Sequence, residues 1–300
     1  MARSPGRAGC AAESRQRGEP LIATASRVQR WLLIEQERHW GRDALFESRF
    51  PTDIAAEIDA AARASGVRVL LIRRWRGGFD EPGPQAAFVA RSGRAHRWLE
   101  QVDFDDPTEL LRLDLAATAS DEPPGVGRAV GSVHLVCTNG RHDPCCADFG
   151  RPVVRALLAA GVDAWESSHV GGDRFAANIV CLPTGVYFGR VGPDDAARVI
   201  ADHEQGLVDL DCYRGRSCYP PFVQAAEILA RHELGERRLD ELTLRSWTRV
   251  GDERAEVVLA LAGADTVIDV ARRRGPAQLL TCGDGRNPPW EYRLHGIRAR

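Results

Sequence analysis

Short apolar runs recur along the chain at two kinds of spacing. Runs rich in Val, Ile, Leu and Trp, which are typical of buried strands, occupy residues 31–35, 67–75, 86–92, 97–104, 133–138, 163–168, 178–183 and 186–191. Segments with a helical period, several of which begin at a proline or end at a glycine, occupy residues 53–66, 106–113, 151–161, 193–206 and 220–234. Strands and helices alternate, and the sequence therefore predicts an α/β fold.

The same order of elements occurs twice. WLLIEQERHWGRDAL, from residue 31, and VHLVCTNGRHDPCCA, from residue 133, each predict a strand followed by a loop that contains Gly-Arg and an acidic residue. A helix, a strand and a hairpin follow in both cases. We therefore predict two related α/β halves at 21–116 and 132–240, joined by a Pro- and Gly-rich linker at 117–131. The alternative is a chance similarity between two unrelated α/β segments.

The two ends of the chain depart from this pattern. Residues 1–20 are polar and rich in Arg and Gly, and we expect a flexible arm there. Residues 241–300 contain short strand-like stretches separated by turns, such as EVVLALAG and DTVIDVARR. This composition predicts a small β-rich region after the second half.

Composition and charge exclude several classes of function. No stretch approaches the roughly 20 apolar residues of a membrane span, and the first 20 residues lack the apolar core of a signal peptide. The formal net charge of −2 argues against a general binder of nucleic acid or membranes. We expect a cytoplasmic protein, and in that compartment clustered cysteines more often bind metal or do redox chemistry than form structural disulfides.

Candidate chemistry is concentrated in two segments of the second half. Cys137 ends a predicted strand, and Cys146 follows nine residues later, where the start of a helix would stabilise a thiolate. The next segment, WESSHVGGDRFAANIV, contains His169 and Asp173 around two glycines that allow a tight turn. Two cysteines, one histidine and one aspartate are four possible ligands, the number that zinc or a two-iron two-sulfur (2Fe–2S) cluster requires.

Three stretches together resemble the sucrase/ferredoxin-like family: C-T-N-G-R-H-D-P-C-C, H-V-G-G-D-R-F-A-A-N and L-P-T-G-V-Y-F-G-R-V. The resemblance covers roughly residues 10–235 and implies a thioredoxin-like ferredoxin domain in which Cys137, Cys146 and His169 bind a 2Fe–2S cluster. Eukaryotic cluster-binding members carry a second ligating histidine where this chain has Asp173. This aspartate is therefore either the fourth ligand or a residue that caps the loop or pairs with Arg174. The chain shows no paired carboxylates for sugar cleavage.

The other cysteines give weaker signals. Cys145 and Cys181 are the replacement candidates for the fourth ligand, although Cys145 should point away from the cluster and Cys181 fits a buried strand position. Cys10 and Cys282 have no neighbour at a ligand spacing. The last two cysteines flank an arginine loop, DCYRGRSCYP at 211–220, which either binds an anion or an acidic partner or is simply solvated; they are Cys212 and Cys218.

The leading hypothesis is a single-electron carrier that exchanges electrons with a redox partner protein and has no substrate of its own. The ligands would be Cys137, Cys146, His169 and Asp173. One alternative is a thioredoxin-like thiol oxidoreductase, although the motif of two cysteines separated by two residues is missing. The other is a binding module stapled by zinc at the same four residues, because zinc accepts carboxylate ligands well.

Overall fold

A computed structural model describes residues 9–37, 39–74 and 84–299. Residues 1–8 of the predicted arm and Trp75 of the predicted strand at 67–75 lie outside the described residues. The α-helices are α1 (Cys10–Gln16), α2 (Thr52–Ser65), α3 (Pro144–Ala159), α4 (Pro193–Glu204) and α5 (Pro221–Leu234). The first ten strands are β1 (Arg30–Glu35), β2 (Arg68–Arg74), β3 (Gln85–Ser92), β4 (Arg97–Phe104), β5 (Arg128–Ala129), β6 (Val133–Cys137), β7 (Ala164–Ser167), β8 (Ile179–Leu182), β9 (Val186–Phe188) and β10 (Tyr213–Arg216).

These ten strands form one sheet in the order β10-β9-β8-β6-β7-β2-β1-β3-β4-β5. In the second half, β6 and β7 are parallel neighbours with α3 between them in the chain, and the antiparallel hairpin β8–β9 continues the sheet beside β6. The first half repeats this arrangement, with parallel β1 and β2 and the hairpin β3–β4 beside β1. This is the thioredoxin-like strand order, and the predicted fold class is confirmed.

The two repeats meet through the antiparallel pair β2 and β7, in which Ile72 lies opposite Ser167 and Arg74 opposite Trp165. The same strand order in both repeats supports the interpretation that the halves are related. The two repeats therefore form one continuous sheet. This pairing brings His169, which follows β7, close to Arg68 at the start of β2.

Helix α3 begins seven residues earlier than the predicted segment at 151–161. The side chain of Asp143 accepts a hydrogen bond from the backbone N–H of Cys145, and Pro144 occupies the first helical position, where its missing N–H costs nothing. Both Cys145 and Cys146 consequently lie in the first turn of the helix. The predicted helix at 106–113 is a 3₁₀-helix, Pro107–Arg112.

Two sequence predictions need correction. The described part of the predicted flexible arm contains α1, in which Cys10, Ala11 and Ser14 are buried. The predicted linker contributes β5, which pairs with β4 at the edge of the sheet. Of the alternatives left open for the arginine loop at 211–220, the structure excludes a solvated loop, because this segment contains β10, which pairs with β9.

The β-rich region after residue 241 is confirmed. It contains the strands β11 (Thr243–Arg249), β12 (Arg254–Leu261), β13 (Ala264–Arg274), β14 (Gln278–Leu279), β15 (Arg286–Asn287) and β16 (Trp290–Ala299). Four of them form a separate antiparallel sheet, and α5 buries Phe222 and Val223 against its apolar face. Among the described residues, no helix has the length and apolarity that a membrane span requires.

Candidate metal centre

The two cysteines of the predicted ligand set lie where β6 ends and α3 begins. Cys137 is the last residue of β6, and Cys146 lies in the first turn of α3; both are buried. The helix passes close to the strand end because residue 150 is glycine: a Cβ atom there would lie 2.2 Å from the carbonyl oxygen of Cys137. This close approach brings a strand-end thiol and a helix-start thiol together.

His169 and Asp173 lie in the loop that follows β7, the parallel neighbour of β6. Gly171 and Gly172 have φ angles of +100° and +83°, a region that favours glycine, and they turn the loop back toward the cysteines. The Oδ1 atom of Asp173 lies 3.0 Å from Nδ1 of His169 and accepts a hydrogen bond of 3.1 Å from Sγ of Cys146. All four predicted site residues are therefore neighbours in the structure.

Arg214 of β10 holds the loop that carries His169 and Asp173 through hydrogen bonds. Arg214 is fully buried and donates hydrogen bonds to the carbonyl oxygen of Gly171, at 3.0 Å, and to Oδ1 of Asn178, at 2.8 Å. Asn178 in turn donates to the carbonyl oxygen of Gly172. Burial lowers the pKa of Arg214 to about 10. Sequence reasoning missed this residue because an arginine in a Gly-containing stretch resembles a surface position.

Two overlapping groups of ligating atoms meet at this point. The first comprises Cys137, Cys146 and His169, and the second His142, His169 and Asp173; within each group the ligand atoms lie within 4.8 Å of one another. His142 was not predicted as a ligand. The signal that could have identified it is its position in the loop between the two cysteines.

The four predicted residues are strongly coupled electrostatically. A hydrogen bond with Cys146, helped by His169, lowers the pKa of Cys137 well below its usual value despite burial. The same hydrogen bond, together with burial, raises the pKa of Cys146. Burial opposes protonation of His169, but its contacts with Asp173 and Cys137 raise its pKa to about 9. Burial likewise opposes ionisation of Asp173, and contact with His169 overcomes it and lowers the pKa. Near neutral pH these shifts favour a thiolate at Cys137, an imidazolium at His169 and a carboxylate at Asp173.

The replacement candidates for the fourth ligand lie elsewhere. The thiol of Cys145 meets Cys282, not Cys146, so the two adjacent cysteines face different neighbours. Cys181 lies within the apolar core around β8, where burial raises its pKa well above the usual value. Cys10 and Cys282, which lack ligand-spaced neighbours in the sequence, lie together in the fold, with 3.6 Å between their sulfur atoms.

The side of the site that solvent reaches is formed by imidazoles. The side chains of His142 and His169 are 24% and 22% exposed, whereas that of Asp173 is 5% exposed. Two surface cavities border His142, and Arg42 lines both of them. The backbone of His169 is held by Arg68, whose guanidinium donates a 2.8 Å hydrogen bond to its carbonyl oxygen.

The chain was compared with known families, curated proteins and solved structures. The sucrase/ferredoxin-like family matches residues 21–215. No curated protein matches. A thioredoxin-like [2Fe-2S] ferredoxin from Aquifex aeolicus is 18% identical over 30% of this chain and 94% of its own, with a TM-score of 0.25. A cysteine-to-serine variant of that ferredoxin is 17% identical over 29% of this chain and all of its own, with a TM-score of 0.26. The family match spans more than half of the chain, which therefore belongs to the sucrase/ferredoxin-like family.

Proposed function

We propose that this protein is a single-electron carrier with one 2Fe–2S cluster held by Cys137, Cys146, His169 and Asp173. The observation that carries the proposal is the meeting of these side chains, with 3.1 Å between Cys146 Sγ and Asp173 Oδ1 and 3.0 Å between Asp173 Oδ1 and His169 Nδ1. Cys137 ends β6, Cys146 lies in the first turn of α3, and the other two side chains lie in the loop that follows β7, the parallel neighbour of β6.

The chemistry of these donors suits the irons of such a cluster. Thiolates and imidazoles are its usual ligands, and the lowered pKa of Cys137 provides one thiolate before any metal is present. When bound, the cluster would supply reversible one-electron chemistry. Two thiolates, one carboxylate and an oxidised core of charge +2 sum to −1, between the −2 of plant-type ferredoxins and the zero of Rieske centres. We therefore expect a reduction potential between those two classes.

The exposed edge of the site supports exchange of electrons with a partner protein. His142 and His169 reach solvent, and exposed Arg42 and Arg141 border the cavities next to them. The cavity that Arg141 lines is also bordered by Arg42, Arg73 and Arg151 and by one acidic side chain, that of Asp148. This excess of positive charge favours a partner that presents carboxylates, because opposite charges steer the encounter. Raising the salt concentration should slow electron exchange with such a partner.

A single zinc ion is the second candidate, and one observation favours it. The ligand atoms of Cys137, Cys146 and His169 all lie within 4.8 Å of one another, a spacing that one ion can span. Zinc takes cysteine, histidine and aspartate ligands at four-coordinate sites. The protein would then be a zinc-stapled binding module.

Replacement of the predicted cysteines tests the proposal. We expect Cys137→Ser and Cys146→Ser each to abolish the visible absorption and the electron paramagnetic resonance signal of the reduced protein. Cys212→Ser is the matched control, because Cys212 belongs to neither group of ligating atoms, and it should retain both signals. Retention of iron and sulfide in the Cys137→Ser and Cys146→Ser variants would overturn the assignment. The second candidate would be established by an unsubstituted protein that binds zinc and no iron and that loses this zinc in both variants but not in Cys212→Ser.

A further inference from the structure

A second group of ligating side chains meets at the start of α3 and shares no residue with the candidate metal centre. Its members come from three distant parts of the chain: Cys10 opens α1, Asp143 and Cys145 begin α3, and Cys282 follows β14. Their sulfur and carboxylate atoms all lie within 4.8 Å of one another. Three thiols and a carboxylate at one point make a set of four ligands.

The distances within the group match those of a tetrahedral metal site. Sγ of Cys282 lies 3.6 Å from Sγ of Cys10 and 3.7 Å from Sγ of Cys145. Sγ of Cys10 lies 3.5 Å from Oδ2 of Asp143. Zinc–sulfur bonds of about 2.3 Å and zinc–oxygen bonds of about 2.1 Å, at tetrahedral angles, place sulfurs about 3.8 Å apart and sulfur and oxygen about 3.6 Å apart. A disulfide would require sulfurs about 2.05 Å apart.

The carboxylate of Asp143 indicates that a cation belongs in this group. Asp143 is completely buried, and it takes part in none of the ion pairs between side chains of the described residues. It accepts hydrogen bonds from the backbone N–H of Cys145, the hydroxyl of Thr281 and the backbone N–H of Cys282, at 2.8, 2.9 and 2.6 Å. Buried charges in proteins are generally paired or bound to a metal. A bound cation would supply a charged partner for this carboxylate, whose hydrogen-bond donors are all uncharged.

Two further contacts would stabilise the negative charge that metal-bound sulfur atoms carry. The backbone N–H of Cys10 donates to Sγ of Cys282 at 3.3 Å, and an N–H donor stabilises a negatively charged sulfur. Cys145 lies in the first turn of α3, where the helix dipole favours negative charge. Cys282 is half-buried and lines a surface cavity together with Gly283 and Pro144, so an ion can reach the group from solvent.

We propose that Cys10, Cys145, Cys282 and Asp143 bind a structural zinc ion. Zinc fits because three soft thiolates and one carboxylate give it four ligands in a closed tetrahedral site. The ion would join α1, the start of α3 and the C-terminal region. Cys145 directly precedes Cys146 in the first turn of α3. By binding Cys145, the zinc ion would also fix the position of Cys146, a ligand of the candidate metal centre.

Metal counting on the 300-residue chain tests this site separately from the cluster. We expect one zinc per chain in the unsubstituted protein after incubation with zinc and dialysis. The double variant Cys10→Ser/Cys282→Ser should lose the zinc and keep iron and sulfide. The double variant Cys137→Ser/Cys146→Ser should lose iron and sulfide and keep the zinc, and Cys212→Ser should keep all three.

X-ray absorption at the zinc edge of the unsubstituted protein keeps the test valid if a double variant fails to fold. We expect three sulfur neighbours and one oxygen neighbour. Two sulfurs with a nitrogen would place the zinc at Cys137, Cys146 and His169 and overturn the proposal. Absence of zinc would also overturn it, as would a mass two daltons below the value for eight free thiols, which shows a disulfide. Loss of iron instead of zinc in Cys10→Ser/Cys282→Ser would contradict both the zinc site and the proposed location of the cluster.

Discussion

The imidazole ring of His142 stacks on that of His169, with 3.6 Å between the ring centroids and 15° between the ring planes. His142 comes from the loop between the two candidate cysteines, and His169 from the loop that follows β7. The stack therefore joins the two segments that carry the site. It also places a second histidine near the position of the fourth ligand, because Nε2 of His142 lies 3.9 Å from Oδ2 of Asp173.

The fourth ligand can be identified by comparing Asp173→Ala with His142→Ala. We expect Asp173→Ala to lose iron to a chelator at least about tenfold faster than the unsubstituted protein, because Asp173 is buried and contacts both Cys146 and His169. His142→Ala should retain its iron. The rate of bleaching of the visible absorption measures both. Fast loss from His142→Ala with slow loss from Asp173→Ala would assign the ligand to the histidine instead.

Asp173→His gives a complementary prediction about the charge of the site. A neutral imidazole in place of a carboxylate removes one negative charge from around the cluster, which stabilises the reduced form. We expect a higher reduction potential than in the unsubstituted protein. Redox titration followed by absorption measures it, and an unchanged or lower potential would show that Asp173 does not ligate.

Gly150→Ala should disturb the close packing of α3 against the end of β6. The added Cβ would meet the carbonyl oxygen of Cys137 at 2.2 Å, and the helix would have to move away from β6. We expect the free energy of unfolding to fall by about 1–3 kcal/mol and iron retention to fall with it. Gly131→Ala is the matched control, because a Cβ there meets no atom within 4 Å. Equal stability of the two variants would contradict the close approach.

Arg214→Met tests the role assigned to the buried arginine. Removal of the guanidinium leaves the carbonyl oxygen of Gly171 and the amide oxygen of Asn178 without their donor. We expect a loss of stability on the order of 3 kcal/mol, together with faster loss of metal because the ligand loop is no longer held. Arg63→Met, at an exposed position on α2, should change neither quantity measurably. Normal metal retention in Arg214→Met would show that the loop holds its shape without it.

His203 makes stability depend on pH. Burial, together with His134 and nearby arginines, lowers the pKa of His203 to about 4, and its Nε2 atom lies 3.0 Å from the hydroxyl of Thr184. The unfolded chain takes up this proton near pH 6.5 and the folded chain does not. The neutral state of His203 therefore contributes fully to the free energy of unfolding above pH 6.5. As the pH falls from 6.5 toward 4, the free energy of unfolding decreases by about 3 kcal/mol.

Denaturant unfolding at several pH values measures this effect. We expect the loss of stability between pH 6.5 and 4 to be smaller in His203→Gln than in the unsubstituted protein, whereas His96→Gln, at an exposed position, should follow the unsubstituted protein. The same pH dependence in all three proteins would contradict the assignment to His203.

The predicted ligand set came from the sequence in two ways: local patterns supplied the candidate residues, and the resemblance of the flanking motifs to the sucrase/ferredoxin-like family supplied their assignment as ligands. Cys137 ends an apolar strand run, Cys146 lies nine residues later, and His169 and Asp173 flank a glycine pair after the next strand. Parallel neighbouring strands bring such strand ends together. The early start of α3 could also have been read from Asp143 and Pro144, which form a standard cap and first position.

The other group of ligating residues could not be predicted in this way. Cys10 and Cys282 are 272 positions apart, and no periodicity or motif relates them. The burial of Arg214 was equally hidden, because YRGR has the composition of a loop and becomes a strand only through pairing with β9. Contacts of this kind depend on the tertiary fold, which local patterns do not specify.

The most direct test of the central claim is a visible absorption spectrum of protein purified without oxygen, with iron, acid-labile sulfide and zinc counted on the same sample. The account predicts visible bands with about two irons and two sulfides per chain, and bleaching on one-electron reduction. A colourless protein that acquires neither iron nor sulfide, even after cluster reconstitution, would contradict it.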